Sequence, residues 1–194
     1  MSTTPLVSII TPSYNQAAFL EKTICSVLEQ DYPAIEYMVV DGASKDASIE
    51  IIKKYENRLT WWVSEKDSGQ AEAINKGLAR AKGEYVAWLN SDDYLMPGAV
   101  SAAVEALRQN PDASFVYGNV RVVTLDGKVL NTLTYKDWTL VDLMTFHIIG
   151  QPAVFMRRSA LEKTGFLDQS LNFLLDHQLW IRLASVGEIG RAHV

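Results

Sequence analysis

A chain of 194 residues that is 48% hydrophobic and 21% charged carries enough apolar material for one substantial core, and with no linker, repeat or low-complexity stretch it reads as a single domain over 1–194. Its net charge of -5, without any run of Lys or Arg, excludes the electrostatic footprint of a nucleic-acid binder. No basic-then-apolar leader and no apolar run of about 18 residues is present, so neither a standard secretion signal nor a transmembrane segment is expected, and the lone Cys25 fits a reducing, cytoplasmic setting.

Strand-like runs alternate with helical ones through the first half. Residues 6–10 precede a helix near 17–30, residues 35–40 precede one near 47–55, and residues 59–63 precede one near 68–81. That rhythm predicts a parallel sheet covered by helices. In the third helix Ala71, Ile74, Leu78 and Ala81 form one stripe and Glu72, Lys76 and Arg80 the other. Residues 85–89 are uncharged and mostly bulky, the pattern of a strand covered on both faces. Pro97 is expected to open a helix with Val100, Ala103, Val104 and Leu107 inward, ending at Asn110-Pro111-Asp112. Residues 114–124 and 129–134 read as a hairpin, because Asp126-Gly127 supplies the positive φ that a tight turn needs. The second half should therefore make the sheet mixed. Residues 153–156 give a further strand, and a last helix carries Asp176 in its first turn with Leu179, Leu183 and Val186 inward. Trp61, Trp62 and Trp88 are expected in the core, whereas Trp138 and Trp180 have no assigned place. His147 and His177 lack metal-binding spacing and read as surface or pocket-wall residues.

Three strands of the first half end in polar residues: Thr11-Pro12-Ser13-Tyr14-Asn15, Asp41-Gly42-Ala43-Ser44-Lys45-Asp46 and Asn90-Ser91-Asp92-Asp93. In a parallel sheet these endings share one edge, where open α/β sheets bind ligands. Adjacent aspartates offer hard oxygen ligands suited to Mg or Mn holding a diphosphate, although Asp92 or Asp93 could also simply shape the turn before the next helix. Neither a G-x-x-x-x-G-K-[ST] loop nor a G-x-G-x-x-G turn occurs, which argues against a P-loop enzyme and a dinucleotide oxidoreductase. Asp41 could accept from a base or ribose; as the head of a Gly-containing turn it also has a structural explanation.

The segments Pro12-Ser13-Tyr14-Asn15, Val39-Val40-Asp41-Gly42-Ala43-Ser44-Lys45-Asp46, residues 67–77 from Asp67-Ser68-Gly69-Gln70 onward, and Leu89-Asn90-Ser91-Asp92-Asp93 together resemble family 2 glycosyltransferases. The resemblance runs over residues 7–186. It implies an α/β fold of GT-A type, a Rossmann-like mixed sheet flanked by helices on both faces. It also implies inverting transfer of a sugar from a nucleoside diphosphate donor, with UDP expected, to a saccharide or lipid-linked acceptor in surface polysaccharide or glycolipid synthesis. The setting implied is the cytoplasm or the cytoplasmic face of the inner membrane, where the chain would be peripheral. By the same resemblance Asp41 contacts the base, Pro12, Tyr14, Asn15 and Asp67 line the nucleoside pocket, and Asn90-Ser91-Asp92 matches the D-x-D element with Asp92 as metal ligand. Asn90 departs from that element by replacing its first Asp, which brings Asp93 in as a second candidate ligand. Gln151 matches a polar position facing the sugar or acceptor pocket, although a turn residue explains it equally, and Asp176 matches the catalytic base of a late acidic motif. A carboxylate at a helix start also has a structural explanation in the helix dipole. Other readings are a nucleotidyltransferase, whose Gly-rich basic loop is missing from residues 12–19, and a catalytically inactive nucleotide-sugar-binding or partner-binding domain.

Glu188-Ile189-Gly190-Arg191-Ala192-His193-Val194 corresponds codon by codon to GAGATCGGAAGAGCACACGTC, a common sequencing adapter. The chain is therefore expected to be a C-terminally truncated fragment with residues 188–194 an artefactual tail that packs poorly, leaving apolar surface exposed beside the last helix where the missing segment would cover it.

Overall fold

The computed structural model describes residues 4–171 and 173–192. In chain order these form β1 (Val7–Ser13), α1 (Ala17–Leu28), β2 (Ile35–Asp41), α2 (Ser48–Tyr55), β3 (Trp61–Ser64), α3 (Gln70–Leu78), β4 (Tyr85–Trp88) and α4 (Ala99–Gln109), followed by β5 (Ala113–Tyr117), β6 (Val120–Val123), β7 (Val129–Leu133), α5 (Leu140–Met144), β8 (Val154–Arg157), α6 (Arg158–Thr164), α7 (Leu175–Ala184) and β9 (Glu188–Arg191).

Seven strands make the main sheet in the order β3-β2-β1-β4-β8-β5-β9. The first four are mutually parallel, and β8 pairs antiparallel with both β4 and β5, so β8 alone runs against the rest. Period-two alternation divides β1 between two cores: Val7 and Ile9 pack with Leu20, Ile24, Ile52 and Val104 on the side of α1, α2 and α4, whereas Ile10 packs with Ile74, Leu78, Leu161 and Leu179 on the side of α3, α6 and α7. Both faces are thus covered, as the sequence pattern predicts. Trp61 and Trp62 pack against opposite cores, and Trp88 is buried.

Several expectations are corrected. Residues 114–124 are not one strand: the chain breaks at Gly118-Asn119, β5 joins the main sheet, and only β6 pairs with β7 as a separate two-stranded hairpin. The hairpin turn itself is as read, with Gly127 at φ +85°. Helix α4 begins at Ala99 rather than at Pro97, with Gly98 in the left-handed region before it. His177 is buried beneath Phe146, its Nε2 2.9 Å from the Leu143 carbonyl oxygen, and does not line a surface.

The carboxyl-terminal stretch also departs from expectation. Residues 188–191 form the parallel edge strand β9 against β5, Ala192 is buried in the α1-side core, and the Arg191 guanidinium donates to the Tyr135 carbonyl. Poor packing of this tail is therefore not what the fold contains, while His193 and Val194 lie outside the described residues. The exposed apolar surface beside the last helix is present, at Phe173 and Leu174 before α7 and at Val186, which lies past the end of the helix and so does not face inward as expected.

Candidate active site

Because β1, β2 and β3 are parallel and in register, Ser13, Asp41 and Ser64 stand in one row at the carboxyl edge of the sheet. Asp41 is fully buried. Its Oδ2 accepts from the Ser44 backbone N–H at 2.9 Å and the Ser64 hydroxyl at 2.6 Å, and its Oδ1 accepts from the Ser44 hydroxyl. An ionised carboxylate offers roughly four acceptor sites, so one on Oδ1 remains for a further donor. Asn15, at φ +52°, ties this loop to the end of β1: its N–H donates to Ser44 Oγ and its side-chain oxygen accepts from the Lys45 N–H, both at 2.8 Å. Pro12 is buried in β1 beside Val40, whereas the Tyr14 ring is 58% exposed above the edge. Asp67 closes the corner from the loop after β3. A Cβ on Gly42 would stand 2.8 Å from Asp67 Oδ2, so a side chain there would displace the Asp67 carboxylate, and Asp67 Oδ1 accepts from the Gly69 N–H.

The turn after β4 carries the second group. Asp93 N–H closes it onto the Asn90 carbonyl at 3.0 Å. Asp92 is exposed and Asp93 half-buried. Burial, reinforced by the neighbouring Asp92 charge, pushes the Asp93 carboxyl up to about 6. The Asn90 amide oxygen accepts from Gln70 Nε2 at 2.6 Å, which orients it from the start of α3.

The acceptor-side residues meet Asn90 in one cleft. Gln70, Trp88, Asn90, Gln151 and residues 173–176 line a space of about 210 Å³. Gln151 is buried, donates through Nε2 to the Trp88 carbonyl at 2.8 Å and leaves its Oε1 without a partner among the described residues. Asp176 begins α7 half-buried, with Oδ1 accepting from the His177 N–H at 2.8 Å. Leu174, immediately before the helix, takes the left-handed backbone at φ +56°, a strained conformation for a bulky residue that recurs at functional sites. The cleft therefore gathers Asp176, Gln151 and Asn90, while Asp92 and Asp93 stand outside its lining on the same turn as Asn90.

Whether this turn suits a divalent cation can be judged from its chemistry. Among the described residues no group of three or more His, Cys, Asp or Glu converges, so a cage built from protein alone is excluded. Mg²⁺ and Mn²⁺ do not need one, since they are commonly held by one or two carboxylates with the balance supplied by water and phosphate. The Asp92–Asp93 pair fits that mode: two adjacent carboxylates, one raised by desolvation and like charge. Asn90 fits less well, its amide oxygen being turned to Gln70.

An α/β sheet whose parallel half gathers carboxylates and amides at its carboxyl edge is an architecture that binds ligands at that edge. The chain belongs to glycosyl transferase family 2, whose family model matches residues 8–165. TuaG of Bacillus subtilis, named a putative teichuronic acid biosynthesis glycosyltransferase, is 33% identical over 189 residues, covering 94% of this chain and 73% of TuaG. Among solved structures, S. aureus TarS 1-349 in complex with UDP-GlcNAc superimposes with a TM-score of 0.78 at 21% identity, covering 96% of this chain and 55% of that one. The mannosyltransferase PcManGT from Pyrobaculum calidifontis, in complex with GDP-Man and Mn2+, gives 0.77 at 23% identity, covering 98% and 57%. These likenesses give the fold, a GT-A type α/β domain, and this chain spans little more than half of either solved chain. No helix among the described residues is long and apolar enough to cross a membrane.

Proposed function

We propose that the chain is a divalent-metal-dependent, inverting glycosyltransferase that moves a sugar from a nucleoside diphosphate, with UDP the favoured donor, to a hydroxyl of a saccharide or lipid-linked acceptor during cell-surface polysaccharide or glycolipid synthesis on the cytoplasmic side of the membrane. The observation that carries it is the shared cleft of Asp176, Gln151 and Asn90, two residues from the exposed Asp92. Family membership, the name given to TuaG and the nucleotide sugars bound by TarS and PcManGT support the reading.

In this reading the nucleoside lies over the row formed by Ser13, Asp41 and Ser64, with the free site on Asp41 Oδ1 accepting from the base and Tyr14 and Asp67 flanking it. Asp92 and Asp93 would hold Mg²⁺ or Mn²⁺, which when bound neutralises the diphosphate that leaves. Asp176 has committed one oxygen to its own helix, and the other accepts the acceptor's proton. As the acceptor oxygen bonds to the anomeric carbon from the face opposite the diphosphate, the bond to the diphosphate oxygen breaks, the configuration inverts, and the proton passes to Asp176. Gln151 Oε1 and the Asn90–Gln70 pair line the space the sugar would fill.

Replacing Asp176 by Asn preserves shape and removes the proton acceptor. Turnover should fall by roughly 10²–10⁴-fold with donor binding nearly unchanged. If its role were only to favour the positive end of the helix, stability would fall by about 0.3–1 kcal/mol and activity per folded molecule would persist. Transfer assayed with a panel of UDP- and GDP-sugars in Mn²⁺ decides between them, and near-normal turnover by folded Asp176→Asn removes the residue from the mechanism.

A further inference from the structure

The carboxylate turn does not hold its own shape. Beyond the bond from Asp93 N–H to Asn90, its backbone is fixed by α1. The Thr23 hydroxyl, buried, lies 2.9 Å from the Ser91 carbonyl oxygen and 2.6 Å from that of Asp93, the residues on either side of Asp92. Ser26, at i+3 on α1, and Gln30, at i+7 and just past the end of α1, continue the stripe, but they reach further on. Ser26 Oγ accepts from the Leu95 N–H, and Gln30 Oε1 from the Val100 N–H in the first turn of α4, which has no side-chain cap of its own. Thr23 is thus the member of the stripe that touches the Asp92–Asp93 segment.

We infer that Thr23 is a positioning residue for the metal-binding carboxylates: its hydroxyl, shared between the two carbonyls that bracket Asp92, fixes the direction in which the Asp92 and Asp93 side chains leave the turn. The inference rests on the reading of those two residues as ligands and adds the group that orients them. The physical case is that a backbone turn with one internal hydrogen bond has several accessible shapes, and a donor placed between the carbonyls of residues i-1 and i+1 selects one of them. A threonine supplies that donor from a helix, where its χ1 is restricted.

The test uses UDP and GDP as probes, measuring binding by calorimetry across a Mn²⁺ titration and in chelator, with thermal unfolding recorded alongside. In Thr23→Val the Mn²⁺ concentration needed for half-maximal nucleotide binding should rise by about tenfold, the lower end of what loss of a supporting hydrogen bond costs a metal site. Binding in chelator should not change, because the base corner does not touch Thr23. Thr23→Ser, which keeps the hydroxyl, should restore the wild-type Mn²⁺ dependence. Ser26→Ala removes a staple of the same helix and should leave that dependence where it was, whatever it does to the melting temperature. If Thr23→Val fails to fold, Thr23→Ala gives the same comparison. An unaltered Mn²⁺ dependence in Thr23→Val, or an equal shift in Ser26→Ala, overturns the assignment. Equal nucleotide binding by the wild type in Mn²⁺ and in chelator overturns the metal reading together with this inference, and it is seen without any variant.

Discussion

Asp93 offers a measurement that links the site to the stability of the fold. Its carboxyl is raised from 3.8 to about 6, first by burial and then by Asp92. A folded pKa above the unfolded one means that the ionised form is disfavoured by folding, so above pH 6 the native state carries the whole penalty. Between pH 6 and 4 the native protein takes up a proton that the unfolded chain has not yet taken, and the penalty disappears. A shift of about two units at 1.36 kcal/mol per unit sets a ceiling of about 3 kcal/mol, and partial solvent access reduces the expected value to about 1–2 kcal/mol. Asp93→Asn, neutral at every pH, should therefore be more stable than the wild type by about that amount at pH 7 and equal to it near pH 4. Urea unfolding of both proteins at pH 7, 5.5 and 4 gives the answer, the fitted slope showing whether the transition stays comparable. Asp92→Asn should recover only the smaller, Coulombic part at pH 7. A difference between wild type and Asp93→Asn that is the same at pH 7 and pH 4, or that has the opposite sign at pH 7, would refute the reasoning. The functional corollary is that Mn²⁺ should stabilise the wild type at pH 7 and not Asp93→Asn, because the cation offsets the same unfavourable charge.

Two further variants probe the framework. A Cβ on Gly77 would stand 2.5 Å from Ile10 Cγ2 where α3 crosses β1, so Gly77→Ala should destabilise by about 1–3 kcal/mol in urea despite alanine's better helix propensity, and a neutral or stabilising result would mean α3 lies farther from the sheet. On β9, a Cβ on Gly190 would stand 2.9 Å from Val116 Cγ1, so Gly190→Val should lower stability by about 1–3 kcal/mol, whereas an unchanged unfolding midpoint would show that residues 188–192 do not pack on β5.

The parallel half of the fold was legible because its signals are local. Each strand is an uninterrupted apolar run, each helix a one-sided stripe, and parallel pairing then forces Thr11 to Asn15, Asp41 to Asp46 and Asn90 to Asp93 onto one edge. The second half depends on contacts distant in sequence. Nothing local distinguishes residues 114–117 from 120–123 except Gly118-Asn119, and the partner that draws β5 into the main sheet is β8, whose Met156 pairs with Phe115 some forty residues on. Residues 188–191 show no alternation that would mark them as an edge strand. Among candidate site residues, the Asp92–Asp93 pair stands out from its chemistry, but that Asp176, Gln151 and Asn90 meet in one cleft is not legible, since no local pattern relates residues 25 to 86 positions apart. Thr23 and Gln30 carry no signal of their own, because Ser, Thr and Gln on or near a helix are ordinary surface residues. The available signal is a polar i, i+3, i+7 stripe, Thr23 and Ser26 on α1 and Gln30 just past its end.

What sets the distance between the two halves of the site is the aromatic stack beneath it. The Trp88 ring lies 5.1 Å from that of Trp180, and Trp180 also stacks on Phe115 at 5.6 Å, all three fully buried. Trp88 precedes Asn90 by two residues and its carbonyl holds Gln151, while Trp180 follows Asp176 by four and so lies on the same helix face. A shift of α7 along its axis would therefore have to unstack a packed core before Asp176 could change its distance from Asn90, and such cores resist continuous deformation. The cleft floor is rigid for this reason. Its lip is different: Phe173 is 85% exposed, Leu174 sits in a strained backbone, and neither is held by the core. Chemistry common to the family would then reside in the floor, and discrimination between acceptors in the residues that precede α7, where substitutions can change shape without disturbing the stack.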